Sequence, residues 1–469
     1  MRKFLVVSLF SGAGGLDLGF LQAGAFKVIF ANEVSESVAL TYARNIGMMP
    51  VKGSGKIKAE PGTIAICDVA QVDFSGLKDL DIDVIVGGPP CQDFSAISGP
   101  EINNRGIKVS RGKLYKQFLR ALLTLQPKVF VFENVPGLIR ANKGSAYKTI
   151  LKDFKNLNFR LNCIRGGVGL AGVTLSSVSS YSLVFSGAAD FSALGVPQKR
   201  QRLIIIGVRK DLLRDPHLEV KLQSAVKNII SGCGRLFKKY PLTVMEVFEG
   251  KPLHELQEEY EETMKEWTGI WKEISTPKII EWKKNVWDKL TFDAIRDYIT
   301  ANGINEYSEE ELERVCREHE EILKELGYLG RKVSEIKPCD STYEIPNETY
   351  IVIERMKRIP PGGNHEFVKN TRWHVEGKGI SLIYRRLHPL KPSYTLVAYG
   401  GGGTYGYHYA RNRSALSLRE MARLQTFPDD FFFSGTKKEI RAQIGEAVPP
   451  LAGKRIAEIV KDILLNLQF

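Results

Sequence analysis

Lys3-Phe4-Leu5-Val6-Val7-Ser8-Leu9-Phe10-Ser11-Gly12-Ala13-Gly14-Gly15 is the stretch whose reading decides the fold. Residues 3–9 carry the Val, Leu and Phe of a strand buried on both faces, and the run breaks into a glycine turn ahead of a helical segment. Glycine lets the backbone turn sharply there and lets a ligand approach the N-terminus of the helix. β-rich runs recur at residues 28–31, 84–86, 129–132 and 203–208, separated by helical stretches such as 114–125, which stops before Pro127. Strand–helix alternation of this kind predicts an α/β fold with a doubly wound parallel sheet, whose ligands bind beyond the carboxyl ends of the strands.

Those strand ends carry the residues with chemistry. The second run closes in Asn32-Glu33, where a carboxylate is placed to accept bonds from ribose hydroxyls. The third closes in Cys67-Asp68-Val69, a second acid that suits an adenine amino group. One such acid alone reads as a solvated strand end; a series at successive tips reads as a ligand site. The fourth run leads into Gly87-Gly88-Pro89-Pro90-Cys91-Gln92-Asp93-Phe94-Ser95, in which two prolines stiffen the approach to a cysteine outside any apolar stripe. A lone cysteine is more often a small buried hydrophobe than a nucleophile, but the flanking Pro90 and Gln92 favour exposure. The fifth ends in Glu133-Asn134-Val135, which sets a carboxylate at the neighbouring tip. In Pro197-Gln198-Lys199-Arg200-Gln201-Arg202 the arginines at alternate positions face one side if the segment is extended, facing an anionic or carbonyl-bearing ligand.

The 469 residues exceed one ordinary core and predict two or three domains, with 43% apolar and 25% charged residues marking a soluble globular chain. The formal net charge is +13, but residues 254–326 hold 20 acidic against 10 basic residues, so the remainder is the more strongly basic and suits a phosphate backbone. The six cysteines form no Cys-x-x-Cys pair and have no nearby histidines, which argues against a metal site or a disulfide framework. The opening apolar run breaks at Ser8 and the glycines, unlike a signal peptide, and no run is long enough to span a bilayer, so a cytoplasmic chain is expected. Past about residue 209 the pattern changes. Residues 254–330 read as an acidic helical insert, 343–408 as an irregular part with β-like segments at 350–353 and 381–384, and 417–426 and 456–467 as helices. Residues 166–187, rich in Gly, Ser and Val, read as an inserted loop or irregular hairpin.

Taken in order, 10–15, Pro90-Cys91-Gln92, Glu133-Asn134-Val135, 198–202, Arg419-Glu420-x-Ala422-Arg423-Leu424-Gln425-x-Phe427-Pro428-Asp429 and Gly445-Glu446-Ala447-Val448-Pro449-Pro450 resemble the successive motifs of the DNA (cytosine-5) methyltransferases of prokaryotic restriction–modification systems. The resemblance covers residues 1–210 and about 411–469. It implies a Rossmann-like S-adenosylmethionine-dependent methyltransferase fold in those residues, with 211–410 as a smaller, irregular target-recognition domain. It also implies a reaction: Cys91 adds to the cytosine ring, Glu133 supports ring nitrogen 3, Arg202 holds the base oxygen and Arg200 supports the loop. The cofactor residues it implies are Phe10, Gly12, Ala13, Gly14, Glu33, Val34, Asp68, Val69, Pro90, Leu114 and Glu446, and the DNA contacts Gln92, Ser95 and Arg111. Thr395 lies in Pro392-Ser393-Tyr394-Thr395-Leu396, which is similar to an element at the end of the recognition domain. Composition adds Arg385, Arg386, His388 and Lys391 and the tyrosines 399, 405 and 407 as candidates for gripping DNA.

Three features depart from the family pattern: Glu446 stands where asparagine is usual, the 166–187 insertion is longer than the family needs, and the acidic insert is unusual and repels phosphate. The implied partners are double-stranded DNA and, as a genetic rather than physical partner, a restriction endonuclease; a monomer associated with the nucleoid is expected. Rival readings are a transfer-RNA cytosine-5 methyltransferase, whose Cys-Phe-Thr element is missing, and a non-catalytic partner, which would lack the Pro-Cys-Gln or Glu-Asn-Val elements. A Rossmann-type oxidoreductase would need a Gly-x-Gly-x-x-Gly spacing that Gly12, Gly14 and Gly15 do not give.

Overall fold

The computed structural model describes residues 2–90, 114–157, 179–213, 215–375, 383–399, 403–404 and 406–467. They form two compact units, one of residues 1–191, 201–234 and 447–469, the other of 192–200 and 235–446.

The first unit is built on eight strands: β1 (Phe4–Leu9), β2 (Phe26–Glu33), β3 (Met49–Lys52), β4 (Thr63–Ile66), β5 (Val84–Gly87), β6 (Val129–Asn134), β7 (Tyr181–Asp190) and β8 (Gln201–Arg209). Their order is β3-β4-β2-β1-β5-β6-β8-β7. The first six run parallel, while β8 lies antiparallel to both β6 and β7. The expected α/β sheet is therefore present with an antiparallel edge, and residues 181–187, read from sequence as loop or hairpin, belong to β7. Chain order reverses between β1 and β5, the point in such sheets where a crevice opens beyond the carboxyl ends. Helices α1 (Gly15–Gln22), α2 (Glu36–Ile46), α3 (Tyr115–Leu125) and α4 (Ser145–Lys155) cover the sheet. Phe118, Phe130, Phe132 and Phe154 interlock between α3, α4 and the strands, mostly edge to face. The C-terminal helix Pro450–Asn466 buries Ile456, Ile459, Val460, Ile463 and Leu464 and packs on α1, as expected of a returning helix.

In the second unit the acidic stretch is helical, with helices Gln257–Lys265, Ile270–Glu273, Pro277–Asn285, Ala294–Asn302 and Glu309–Glu325. Thr276, Asp293 and Ser308 cap three of them by accepting backbone N–H bonds. The last is clasped through buried His319, whose ring nitrogens meet a Glu246 carboxylate oxygen at 2.8 Å and the Tyr240 carbonyl at 3.0 Å. Burial acts to lower the ring's pKa, but Glu246 and the Tyr240 carbonyl outweigh it and hold it above its ordinary value. Residues 350–353 were expected as strand but open the helix Tyr350–Met356; exposed Tyr350 and Ile351 and buried Met356 show tertiary packing overriding β-branched propensity. Residues 383 and 384 form no strand, and the rest of that segment lies outside the described residues.

The unit boundaries also fall elsewhere than expected. Residues 411–446 pack in the second unit because Arg419 and Arg423 are buried there. Arg419 bonds Asp340, Thr342 and the Phe431 carbonyl, while Arg423 grips Asp429 through two bonds and the carbonyls of Val247 and Arg331. Residues 216–230 form a helix over β7 in the first unit, held by Gln223 to the Leu183 carbonyl at 3.4 Å. No helix among the described residues is long and apolar enough to cross a membrane, and none of their His, Cys, Asp and Glu groups could hold a metal ion.

Candidate active site

The glycine turn after β1 sits at the reversal point of the sheet. Phe10 has φ +54°, and Gly14 takes φ +93° as the N-cap of α1. A side chain at Gly14 would be strained, and its Cβ would lie 2.9 Å from the Tyr42 ring. Glu33, at the tip of β2, anchors this turn: one carboxylate oxygen accepts the Gly12 N–H at 3.1 Å and the other the Ser35 N–H at 2.9 Å. Beside it Val34, an apolar side chain, stands 67% exposed. Asp68 is exposed past β4 and caps the following turn through Ala70 N–H. Val69 is buried in the core. Arg120 of α3, which sequence reasoning missed, holds that turn in place through the carbonyls of Val69 and Val72.

S-Adenosylmethionine fits what these residues present. An open space lies over Gly12, where an added Cβ would meet nothing within 4 Å, and Ala13 is small and buried beside it. Carboxylates at the ends of β2 and β4 suit ribose hydroxyls and an adenine amino group, and exposed Val34 and half-buried Phe10 offer apolar surface to the adenine. Pro90 is exposed at the end of β5, and Leu114 is half-buried at the start of α3.

Next to this turn, β5 and β6 bring two motifs together. The Asn134 amide donates to the Pro89 carbonyl at 3.0 Å, fixing the segment that leads into Cys91. Glu133 pairs with Arg202 of β8 at 3.1 Å, with side-chain exposures of 13% and 12%. Glu133 Oε2 also lies 2.7 Å from where a Cβ on Gly88 would stand, so a side chain there would push the carboxylate aside. Cys91, Gln92, Ser95 and Arg111 lie outside the described residues.

The second unit holds the remaining candidates. Arg200 is fully buried and donates to the Gly445 carbonyl at 2.8 Å and to Gln198. Glu446 is an exposed residue whose carboxyl is crowded enough for burial to raise its pKa, against the hydrogen bond from Tyr399 and the charge of Arg200. Thr395 is exposed and donates to the Lys199 carbonyl at 2.6 Å. Half-buried Arg385 lies over the Tyr394 ring at 3.6 Å.

Arg386 is a correction. It is 1% exposed, and its guanidinium bonds the carbonyls of Met356, Ile359, His408 and Ala410, which leaves nothing to reach DNA. Tyr407 is likewise buried, and burial beside Lys391 pushes the His388 pKa down to about 3, which keeps that ring neutral. Tyr405 lies outside the described residues. A basic turn that sequence reasoning passed over is better presented: Lys369 and Arg372 are exposed, and the guanidiniums of Arg358 and Arg372 lie over the Trp373 ring at 3.7 Å and 4.4 Å. The cluster of Lys369, Arg372 and Trp373 within five residues was the available signal.

The chain matches the family model described as C-5 cytosine-specific DNA methylase over residues 4–462. It is 57% identical over 467 residues to the DNA (cytosine-5-)-methyltransferase M.ApeKI of Aeropyrum pernix, covering 99% of each chain. It is 31% identical to the type II methyltransferase M.NgoFVII of Neisseria gonorrhoeae, over 99% of this chain and 87% of that one. Among solved structures, a DNA modification methyltransferase encoded within an Escherichia coli prophage shares the fold with a TM-score of 0.54 at 22% identity, over 99% of this chain and all of that one. A Rossmann-like sheet with a glycine turn and acidic strand tips defines an S-adenosylmethionine-dependent methyltransferase. With the family model spanning almost its whole length, this chain belongs to the C-5 cytosine-specific DNA methylases.

Proposed function

We propose that this enzyme transfers a methyl group from S-adenosylmethionine to carbon 5 of a cytosine flipped out of duplex DNA at a short specific sequence. It does so through a covalent bond from Cys91, as the modification enzyme of a type II restriction–modification pair. The observation that carries the reading is Glu133: a carboxyl oriented by Arg202 at the tip of β6, resting on Gly88, three residues from Cys91. Asn134 on the same strand anchors Pro89, two residues before Cys91 in the chain.

Carbon 5 of cytosine is a poor nucleophile. Addition of the Cys91 thiolate at carbon 6 makes the ring an enamine, which splits one hard step into two easier ones. Electron density moves to ring nitrogen 3, where Glu133 supplies a proton or a strong hydrogen bond. Arg202 fixes that carboxyl and faces the base oxygen. The cofactor supplies an electrophilic methyl group on a sulfonium, held by the 10–15 turn, Glu33, Val34 and Asp68. A base then removes the carbon-5 proton, and Cys91 leaves. Stacked cytosine cannot reach these groups, so the base has to leave the helix. Arg385, Thr395, Lys369, Arg372 and Trp373 grip the duplex from the second unit; among described residues 354–399 there are eight Lys or Arg against two acids.

The test is methyl-labelled S-adenosylmethionine with genomic DNA and with transfer RNA, the DNA product mapped by bisulfite sequencing. Label at cytosine carbon 5 within one short motif supports the reading and gives the specificity. Label in transfer RNA alone, or none despite cofactor binding, overturns it.

A further inference from the structure

Asp17 occupies the first turn of α1, directly after the cofactor turn, where an acid ordinarily stands in solvent and favours the helix N-terminus. Here it is 1% exposed. One oxygen accepts the Ser8 hydroxyl of β1 at 2.9 Å, and the other has no hydrogen-bond partner. Tyr42 of α2, fully buried, packs its ring under Gly14; its hydroxyl makes no hydrogen bond of good geometry but lies in the field of Asp17. The elements packed around this pocket carry Glu33 on β2, Glu36 and Arg44 on α2, and Lys454, Arg455 and Glu458 on the C-terminal helix. None of them forms an ion pair with Asp17. Burial, opposed by the Ser8 hydroxyl and the residue's own amide, pushes the carboxyl up to about 7.

A carboxyl enclosed with half of its acceptors unused and no cation beside it is costly to keep in an empty protein. The cofactor bound at this turn brings two cations, an ammonium and a sulfonium. Its reaction product, S-adenosylhomocysteine, keeps the same adenosine, ammonium and carboxylate but carries a neutral thioether.

We propose that Asp17, seated on Ser8 and Tyr42 beneath the 10–15 turn, is the counter-charge of the sulfonium: ionised under the cofactor, and under the product left in the protonation state it has in the empty protein. Asp17 is thus a positioning residue that favours the methyl donor and helps to release the spent one. Binding the donor below the raised pKa expels one proton to solvent; binding the product does not. Affinity for the donor therefore rises as pH increases through about 7 and then levels off, while affinity for the product stays flat.

This rests on the cofactor reading, and titration calorimetry separates the two. S-Adenosylmethionine and S-adenosylhomocysteine are titrated into the full chain between roughly pH 6 and 8.5, into wild type and Asp17→Asn, which keeps an acceptor for Ser8. The expected result is up to about a tenfold gain in donor affinity across the range for wild type, since one pKa unit of linkage is a factor of ten. In Asp17→Asn that gain is lost and the preference for donor over product falls severalfold. The ligand's own amino group titrates equally in both proteins, so the difference isolates Asp17. Wild type in buffers of different ionisation enthalpy adds a variant-free readout: proton release with donor and none with product. An unchanged pH dependence in Asp17→Asn, equal loss of both ligands, or equal proton release overturns the proposal. No binding of either ligand to wild type overturns the cofactor reading instead.

Discussion

Arginine does opposite work in the two units. In the first, Arg202 is partly open at a strand tip and grips the Glu133 carboxylate. In the second, Arg386, Arg419 and Arg423 are buried whole and bond backbone carbonyls and buried acids. The sheet is held by its hydrophobic strands and can leave its charges at the tips for chemistry. The second unit, short of strands and rich in loops, has carbonyls that no ladder satisfies, and guanidiniums with five donors each serve them. Motif residues 419–423 are thus scaffold rather than reaction machinery.

Breaking the comparison on the second side has the largest expected effect on stability. Arg423→Met removes both bonds to Asp429 and leaves that buried acid with only Arg331, at 3.7 Å; a loss of about 3–5 kcal/mol is expected in denaturant unfolding. An unchanged midpoint would mean that Arg423 is not scaffold. On the first side the sign of the effect reverses. Glu133→Gln is expected to lower kcat about 10²–10⁴-fold with the melting temperature nearly unmoved, because its carboxyl is partly open and supports the reaction rather than the fold. Retention of most activity would remove Glu133 from the mechanism. The smallest effect belongs to the exposed turn: Arg372→Ala and Lys369→Ala should each reduce the salt slope of DNA binding by about one without altering which sequence is methylated. A change in the methylated sequence would make them readers of bases.

Much of the first unit was legible because its signals are local. Val, Ile, Leu and Phe runs ending in Glu33, Asp68, Cys91 and Glu133 mark parallel strands and their tips in the chain itself. The antiparallel edge was hidden: β7 contains Ser182, Ser186, Gly187 and Ala188, whose weak strand preference is outweighed by pairing along the whole of β8. Residues 350–353 failed the other way, a β-branched run that packing turned into helix. Arg385 and Arg386 were indistinguishable from composition, yet neighbours on an extended segment face opposite sides, and one of the two is buried. The alternation argument for Arg200 and Arg202 failed because the chain passes between the units there: Arg200 follows Gln198–Lys199, which pairs with Ser393–Tyr394, while Arg202 lies in β8. Asp17 reads in sequence as an ordinary first-turn acid, and only the burial of Ser8 and Tyr42 around it shows otherwise.

The most direct test of the central claim is to trap the covalent bond. A duplex carrying 5-fluorocytosine at the target position, in the sequence mapped by bisulfite, is incubated with the enzyme and S-adenosylmethionine. Fluorine cannot be removed as the carbon-5 proton is, so elimination stalls. The account predicts a protein–DNA adduct that survives denaturation, maps to Cys91 by peptide mass spectrometry, and is absent in Cys91→Ser. Methylation of the ordinary duplex without any trapped adduct, or an adduct on another residue, would contradict it.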